Sequence, residues 1–150
     1  SSQAATHHRA LNLLVRREHA PVELARKLAL KGHEKADIAE ALEKLTEQNY
    51  LSPERYALQK VRSLLGRGFG EQRVRHELEQ QRIPRELVSS SIASVLDEQA
   101  LDWASHAHAV RTRKFGEEIP NDRAVRDKQM RFMMQRGFSA EQARGAFTTV

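Results

Sequence analysis

The feature that most constrains this chain is that it repeats itself. Displaced by 50 residues, its apolar positions overlay: Leu11 on Val61, Leu14 on Leu64, Leu24 on Val74 and Leu28 on Leu78. The series continues with Ile38 on Val88, Leu42 on Ile92 and Leu45 on Val95. A further displacement of 55 sets Leu78 on Met133, Ile83 on Phe138, Val88 on Ala143, Ile92 on Phe147 and Val95 on Val150. The start of this third unit needs 46 instead, which sets Phe69-Gly70 on Phe115-Gly116. A longer loop from Glu117 to about Asp122 absorbs the difference, and loops are where repeats tolerate insertion. Self-similarity on this scale is the mark of a repeat architecture.

Within each unit, apolar residues recur at steps of three and four and never alternate as in a half-buried strand, so the chain is expected to be all-α. The expected helices are about 6–18, 21–31 and 34–48, then 53–66, 71–81 and 84–97, then 100–114, 122–136 and 140–149. These group into three-helix repeats at 1–51, 52–97 and 98–150. Ser52-Pro53 offers a capping hydroxyl followed by a proline whose missing N–H costs nothing in a first turn. Pro21 and Pro84 suit the same position, Ser139 with Gln142 makes a capping box, and Gly32 and Gly137 suit helix ends. Between Pro84 and Gly116 there is neither Gly nor Pro, so a break near Asp97 competes with one continuous helix.

So small a unit buries little of its own surface and needs neighbours. Three in series are expected to stack into an elongated, curved rod with a concave face, in preference to one compact bundle.

Chemistry is harder to find. The chain has no GxxxxGK[ST] loop, HExxH, GxSxG or GxGxxG, and Gly68-Phe69-Gly70 follows no strand. It has no cysteine, which removes disulfides and thiolate metal sites and agrees with a reducing cytoplasm. The seven histidines lack ligand spacing: His106 and His108 face different ways on a helix, and His19, His33 and His76 stand alone among charged residues. They read as surface or partly buried side chains. No catalytic residue, metal or cofactor is expected, and the chain is read as a non-enzyme. No apolar run is long enough for a membrane span. The chain opens on Ser1-Ser2 rather than methionine, so further residues are expected ahead of it in the native protein.

Charge is the remaining signal. Lys and Arg number 25 against 20 acids, and Arg predominates, which suits a polyanion or an acidic protein surface. From Lys60 to Arg75 there are five basic residues and one acid, around the turn Arg67-Gly68-Phe69-Gly70. Arg26, Lys27 and Lys31 line the second helix of the first repeat; Arg73, Arg75 and Arg82 that of the second; Arg123, Arg126, Lys128, Arg131 and Arg136 that of the third. Stacked repeats would align these into a basic stripe. The competing reading is a solvated face of i,i+4 pairs such as Glu71 with Arg75. The expected contact set is Arg26, Lys27, Lys31, Arg67, Arg73, Arg75, Arg82, Arg126 and Arg131. Phe69 and Phe115 read as plugs of small cores, Trp103 as packing, Tyr50 and Tyr56 as packing at the first repeat junction, and Met130, Met133 and Met134 as core and edge filler.

Four segments resemble the RecX family. Asn49-Tyr50-Leu51-Ser52-Pro53-Glu54-Arg55-Tyr56-Ala57 resembles its "YLdDxrFA" junction, and Arg67-Gly68-Phe69-Gly70 through Glu77-Leu78 its "kGyGxxrIrxEL" signature. Glu23 to Leu28 with Lys31-Gly32 resembles "ELrrKLxxKG", and Arg131-Phe132-Met133 to Arg136-Gly137-Phe138 resembles "rFLxrRGF". Two departures are visible. Ala20-Pro21 stands where the family has a capping Ser or Thr, leaving that cap to backbone or water, and Phe69 replaces a Tyr. The resemblance implies tandem three-helix units and a cytoplasmic, monomeric protein. It implies binding to the RecA recombinase and its nucleoprotein filament, within the filament groove, and suppression of ATPase, strand exchange and co-protease activity. Weak direct DNA contact could accompany this. The alternatives are a DNA-binding helical module, which the few aromatics argue against as a single-strand specialist, and a scaffold for another partner.

Overall fold

A computed structural model describes residues 2–148 of the chain. Its nine helices, among the described residues, are α1 (Gln3–Arg16), α2 (Pro21–Leu30), α3 (Lys35–Glu47), α4 (Pro53–Gly66), α5 (Glu71–Gln80), α6 (Arg85–Glu98), α7 (Trp103–Phe115), α8 (Arg123–Gln135) and α9 (Ala140–Gly145). No strand occurs among those residues. All nine expected helices form, displaced by at most a few residues, except that the last stops at Gly145. Pro84 precedes α6 instead of opening it.

The repeat pattern is a burial pattern. Leu24, Val74, Leu28, Leu78, Met133, Ile38, Val88, Ala143, Ile92 and Phe147 are buried, as are Ile83 with its counterpart Phe138. Leu45 and Val95 are buried too, while their counterpart Val150 lies outside the described residues.

How the helices end explains the boundaries. Six of them close with the same pair of hydrogen bonds: the second residue past the helix reaches back three, and the third reaches back five. Gly32, Asn49, Gly68, Arg82, Ala100 and Gly137 occupy the left-handed position this motif requires. Glycine supplies it at three places without steric cost. Ala100, at φ 53°, breaks the chain between α6 and α7, so no continuous helix forms there. Asp102 then caps α7 by accepting from Ser105 N at 2.7 Å, while Ser105 Oγ accepts from Asp102 N at 3.2 Å.

The other starts follow local chemistry. Ser52 Oγ accepts from Arg55 N, with Pro53 in the first turn, and Ser139 and Gln142 form the expected reciprocal box. The start of α2, with no hydroxyl at Ala20, is served by Glu23, whose carboxylate accepts from Ala20 N at 3.3 Å.

The described residues pack as two compact units. The first comprises the residues up to Lys60 with Leu78–Ser91; the second comprises Val61–Glu77 with the residues from Ile92 onward. In the first, Ala10, Leu24, Leu28, Ile38, Leu45 and Leu51 form one core, with Leu11, Leu13, Leu14, Ala25 and Leu42 at its margin. Arg55 clips α4 to it: Nε donates to Glu18 at 2.6 Å and Nη2 to Asn49 O at 2.8 Å.

In the second unit, Ala107, Val110, Met133, Phe138, Ala143, Ala146 and Phe147 form a core, with Trp103 and Met130 packed at its margin. The turn between α4 and α5 docks backbone to backbone on the turn between α8 and α9. Gly70 N donates to Arg136 O at 2.7 Å and Gln72 N to Gly137 O at 2.8 Å. The approach is so close that a Cβ at Gly70 would lie 2.6 Å from Phe138 N, and one at Gly137 would lie 2.5 Å from the Arg73 Cβ.

Some side chains depart from expectation. His19 and His106 are buried rather than superficial, at 1% and 6% exposure. Tyr50 is half exposed, so of the junction tyrosines only Tyr56 is buried. Met133 fills the core, whereas Met134 is largely exposed.

Candidate macromolecular-contact surfaces

Each unit carries its own basic surface. In the first, Arg26 is exposed on α2 and Lys31 is exposed at its C-terminal end, where a cation favours the helix dipole. Lys27 is half-buried and its Nζ donates to His19 Nε2 at 2.8 Å. His19 can accept there because burial pushes its pKa below the ordinary value of 6.5, keeping the ring neutral; Nδ1–H then donates to Arg17 O at 3.0 Å. Arg17 is engaged by Glu23. Lys31 also borders a cleft between α1 and the end of α2, lined by Arg9, Arg16, His8 and His33 among others. Arg82 belongs to this unit and is exposed at a left-handed position, φ 56°.

The second unit gathers its cations around aromatic rings. Phe69 is buried at 8% exposure, as a core plug should be, yet guanidinium groups still reach its ring. Arg73 lies 4.3 Å from its centroid, Arg136 at 4.9 Å and Arg67 at 5.1 Å. Each such contact contributes roughly 0.5–1 kcal/mol near solvent, and it orients the cation. The turn holding Phe69 is fixed from beneath. Its carbonyl accepts from His106 Nε2 at 2.9 Å, and the imidazole packs on Phe138 and Trp103. Burial lowers the His106 pKa, so the ring is a neutral donor.

Arg73 and Arg75 are not free charges. Arg73 Nε donates to Glu77 at 2.6 Å and Arg75 Nε to Glu71 at 3.0 Å, the second being the i,i+4 pair the sequence suggested. Glu71 also accepts from Gln142 Nε2 at 2.8 Å. Arg126 lies on α8, 4.7 Å from the Phe147 ring, and Arg131 is exposed on the same helix. Of the nine expected contact residues, then, the structure unites Arg67 and Arg73 at one ring. Arg126 and Arg131 stand elsewhere in that unit.

The expected contact set leaves out the partners of that cluster, although Arg136 belongs to the basic stripe read from the sequence. Arg136 bridges two rings, lying 5.2 Å from Phe132 as well, and its Nη1 donates to Arg67 O at 3.3 Å. Lys114 Nζ sits 5.4 Å from Phe132, whose ring Phe115 braces edge-on at 5.3 Å. Phe115 therefore shares a ring pair rather than repeating the setting of Phe69. The signal available was the alternation of Phe and cations in Arg113-Lys114-Phe115 and Arg131-Phe132, but only the fold brings the two segments together.

Arg111 was missed for the opposite reason. It is fully buried with no carboxylate, and four acceptors hold it: Ala146 O at 2.9 Å, Gln129 Oε1 and Glu118 O at 3.3 Å, and Glu117 O at 3.4 Å. It ties the long loop to the C-terminal turn.

No group of three His, Cys, Asp or Glu side chains converges as a metal site among the described residues. Nor is any helix there long and apolar enough to cross a membrane.

The fold and these surfaces define a class: an all-helical repeat protein distinguished by cations presented on aromatic rings. The comparisons with known proteins narrow it. Models of the first, second and third three-helix domains of RecX match residues 7–45, 54–91 and 102–147. The chain belongs to the RecX family. It is 40% identical to the regulatory protein RecX of Halorhodospira halophila over 97% of this chain and 88% of that one. It is 40% identical to that of Vibrio cholerae serotype O1 over 91% and 88%. The crystal structure of RecX from Lactobacillus salivarius shares the fold, with a TM-score of 0.77 at 16% identity over 96% and 93% of the two chains.

Proposed function

We propose that this protein binds RecA and the RecA–DNA filament, lying in the filament groove, and inhibits recombinase, ATPase and co-protease activity without chemistry of its own. Family membership supports regulation of RecA as the role. The observation that carries the contact assignment is the set of guanidinium groups held on the Phe69 ring. Oriented cations on a rigid turn recognise carboxylate or phosphate at a lower entropic cost than free side chains do.

The proposed contact residues are Arg26, Lys27, Lys31 and Arg82 in one unit and Arg67, Arg73, Arg75, Arg126 and Arg131 in the other. Contacts distributed over successive repeats would add through effective concentration. The protein is proposed to act as a monomer in the cytoplasm, organised as repeats 1–51, 52–97 and 98–150.

The test is RecA ATPase on single-stranded DNA, titrated with the wild-type protein and with the Arg73→Glu/Arg75→Glu variant. Inhibition is expected to weaken several-fold. Circular dichroism must accompany it, because each substitution sets a new carboxylate beside Glu77 or Glu71. A correctly folded variant that inhibits as well as wild type removes these two residues from the contact.

A further inference from the structure

Beside the Phe69 cluster, α7, α8 and the turn after α4 border a solvent-open cavity of about 160 Å³. Arg67, Arg113, Lys114 and Arg136 line it, with Phe132 and Val110 as apolar wall. It contains no acidic side chain. None of the four cations is in an ion pair among the described residues. This differs from Arg73 and Arg75 next door, whose charge is offset by glutamates. Like charges so placed repel one another, and an arriving anion would relieve that repulsion.

We infer that this cavity is a phosphate-binding subsite for the backbone of DNA, separate from the nine proposed contact residues except for Arg67. The pocket is small and open to solvent, which suits a single anionic group at its mouth. A phosphate with attendant water fits it. A nucleobase stacked on Phe132 does not, because Lys114 and Arg136 already lie against that ring. Recognition is therefore by charge and indifferent to sequence. Four cations exceed what a lone carboxylate needs, whereas a phosphodiester chain presents further charge to those at the rim. Geometry supports the same reading, since Arg136 is held by two rings and a backbone carbonyl.

The experiment omits RecA, so its outcome is independent of the filament proposal. Fluorescence anisotropy measures binding of a labelled 20-nucleotide oligo-dT and of a 20-base-pair duplex at several salt concentrations. The proteins are wild type, Arg113→Gln/Lys114→Gln, and Arg136→Gln. Lys35→Gln/Arg144→Gln removes as much charge as the double variant at exposed positions elsewhere. The cavity variants are expected to bind about tenfold more weakly at low salt. The slope of log K against log salt should become shallower by about 0.7 per lost contact on the single strand and about 0.9 on the duplex. Inorganic phosphate should compete with both DNAs, and its effect should diminish in the cavity variants. Unchanged affinity and slope in folded cavity variants would overturn the inference. An equal loss in the control pair would also do so. So would a poly-glutamate peptide whose binding depends on these residues while that of DNA does not.

Discussion

At the residue scale, buried polar side chains hold the second unit together more than its charge pattern suggests. Arg111 places a guanidinium with zero exposure among carbonyl and amide oxygens. Truncating it to Ala strands Ala146 O and Gln129 Oε1 and opens space beneath Phe147. The expected loss is at least about 2 kcal/mol, read as a lowered urea midpoint, with Arg111→Lys falling between the two.

The buried histidines give a pH dependence of definite sign. Burial lowers the pKa of both His19 and His106 below 6.5, so between the depressed folded values and 6.5 the unfolded chain binds more protons. Stability should hold above pH 6.5 and decline as pH falls from there through the folded values. His106→Gln can keep a donor to Phe69 O without titrating. Denaturation curves at successive pH values should be flatter for that variant, and an equally steep curve would dissociate His106 from the effect.

At the element scale, helix ends carry the architecture. Glycine at left-handed ends was readable at Gly32 and Gly137, because glycine after an amphipathic run signals a stop. Asn49, Arg82 and Ala100 serve the same purpose without that signal, which is why the break between α6 and α7 was open to two readings. The apolar residue that follows, such as Ile83 or Leu101, is the subtler mark of the same motif.

Gly70 and Gly137 have a second duty that no local pattern reveals, since each faces the other's turn. Gly32→Ala meets nothing within 4 Å and should cost about 1 kcal/mol from its backbone conformation alone. Gly70→Ala and Gly137→Ala must push turns apart, adding about 1–3 kcal/mol. Thermal melts of the three variants should place Gly32→Ala nearest wild type. If Gly70→Ala melts with it, the docking of the two turns does not limit stability.

At the scale of the whole molecule, charge is the property that connects fold to proposed role. If filament binding rests on cations meeting carboxylate or phosphate, inhibition of RecA should weaken steeply as salt rises, because screening lengths shrink to about 8 Å at physiological ionic strength. Titrations at two salt concentrations measure this; inhibition insensitive to salt would shift the contact to apolar surface such as Val15, Leu30 or Met134, all well exposed.

By itself the sequence determined the all-helical class, the three-fold repeat, nearly every helix and the family, because amphipathic periodicity, caps and motifs are written in residues near one another along the chain. It also named most of the cations. Tertiary structure alone decided which of them meet. It brought Arg136 and Lys114 to the turn bearing Phe69 and buried His19, His106 and Arg111, whereas the pairing of Arg73 and Arg75 with Glu77 and Glu71 follows from i,i+4 spacing on one helix. Local periodicity tells a side chain which face of its own helix it occupies; only packing between distant segments settles what that face meets.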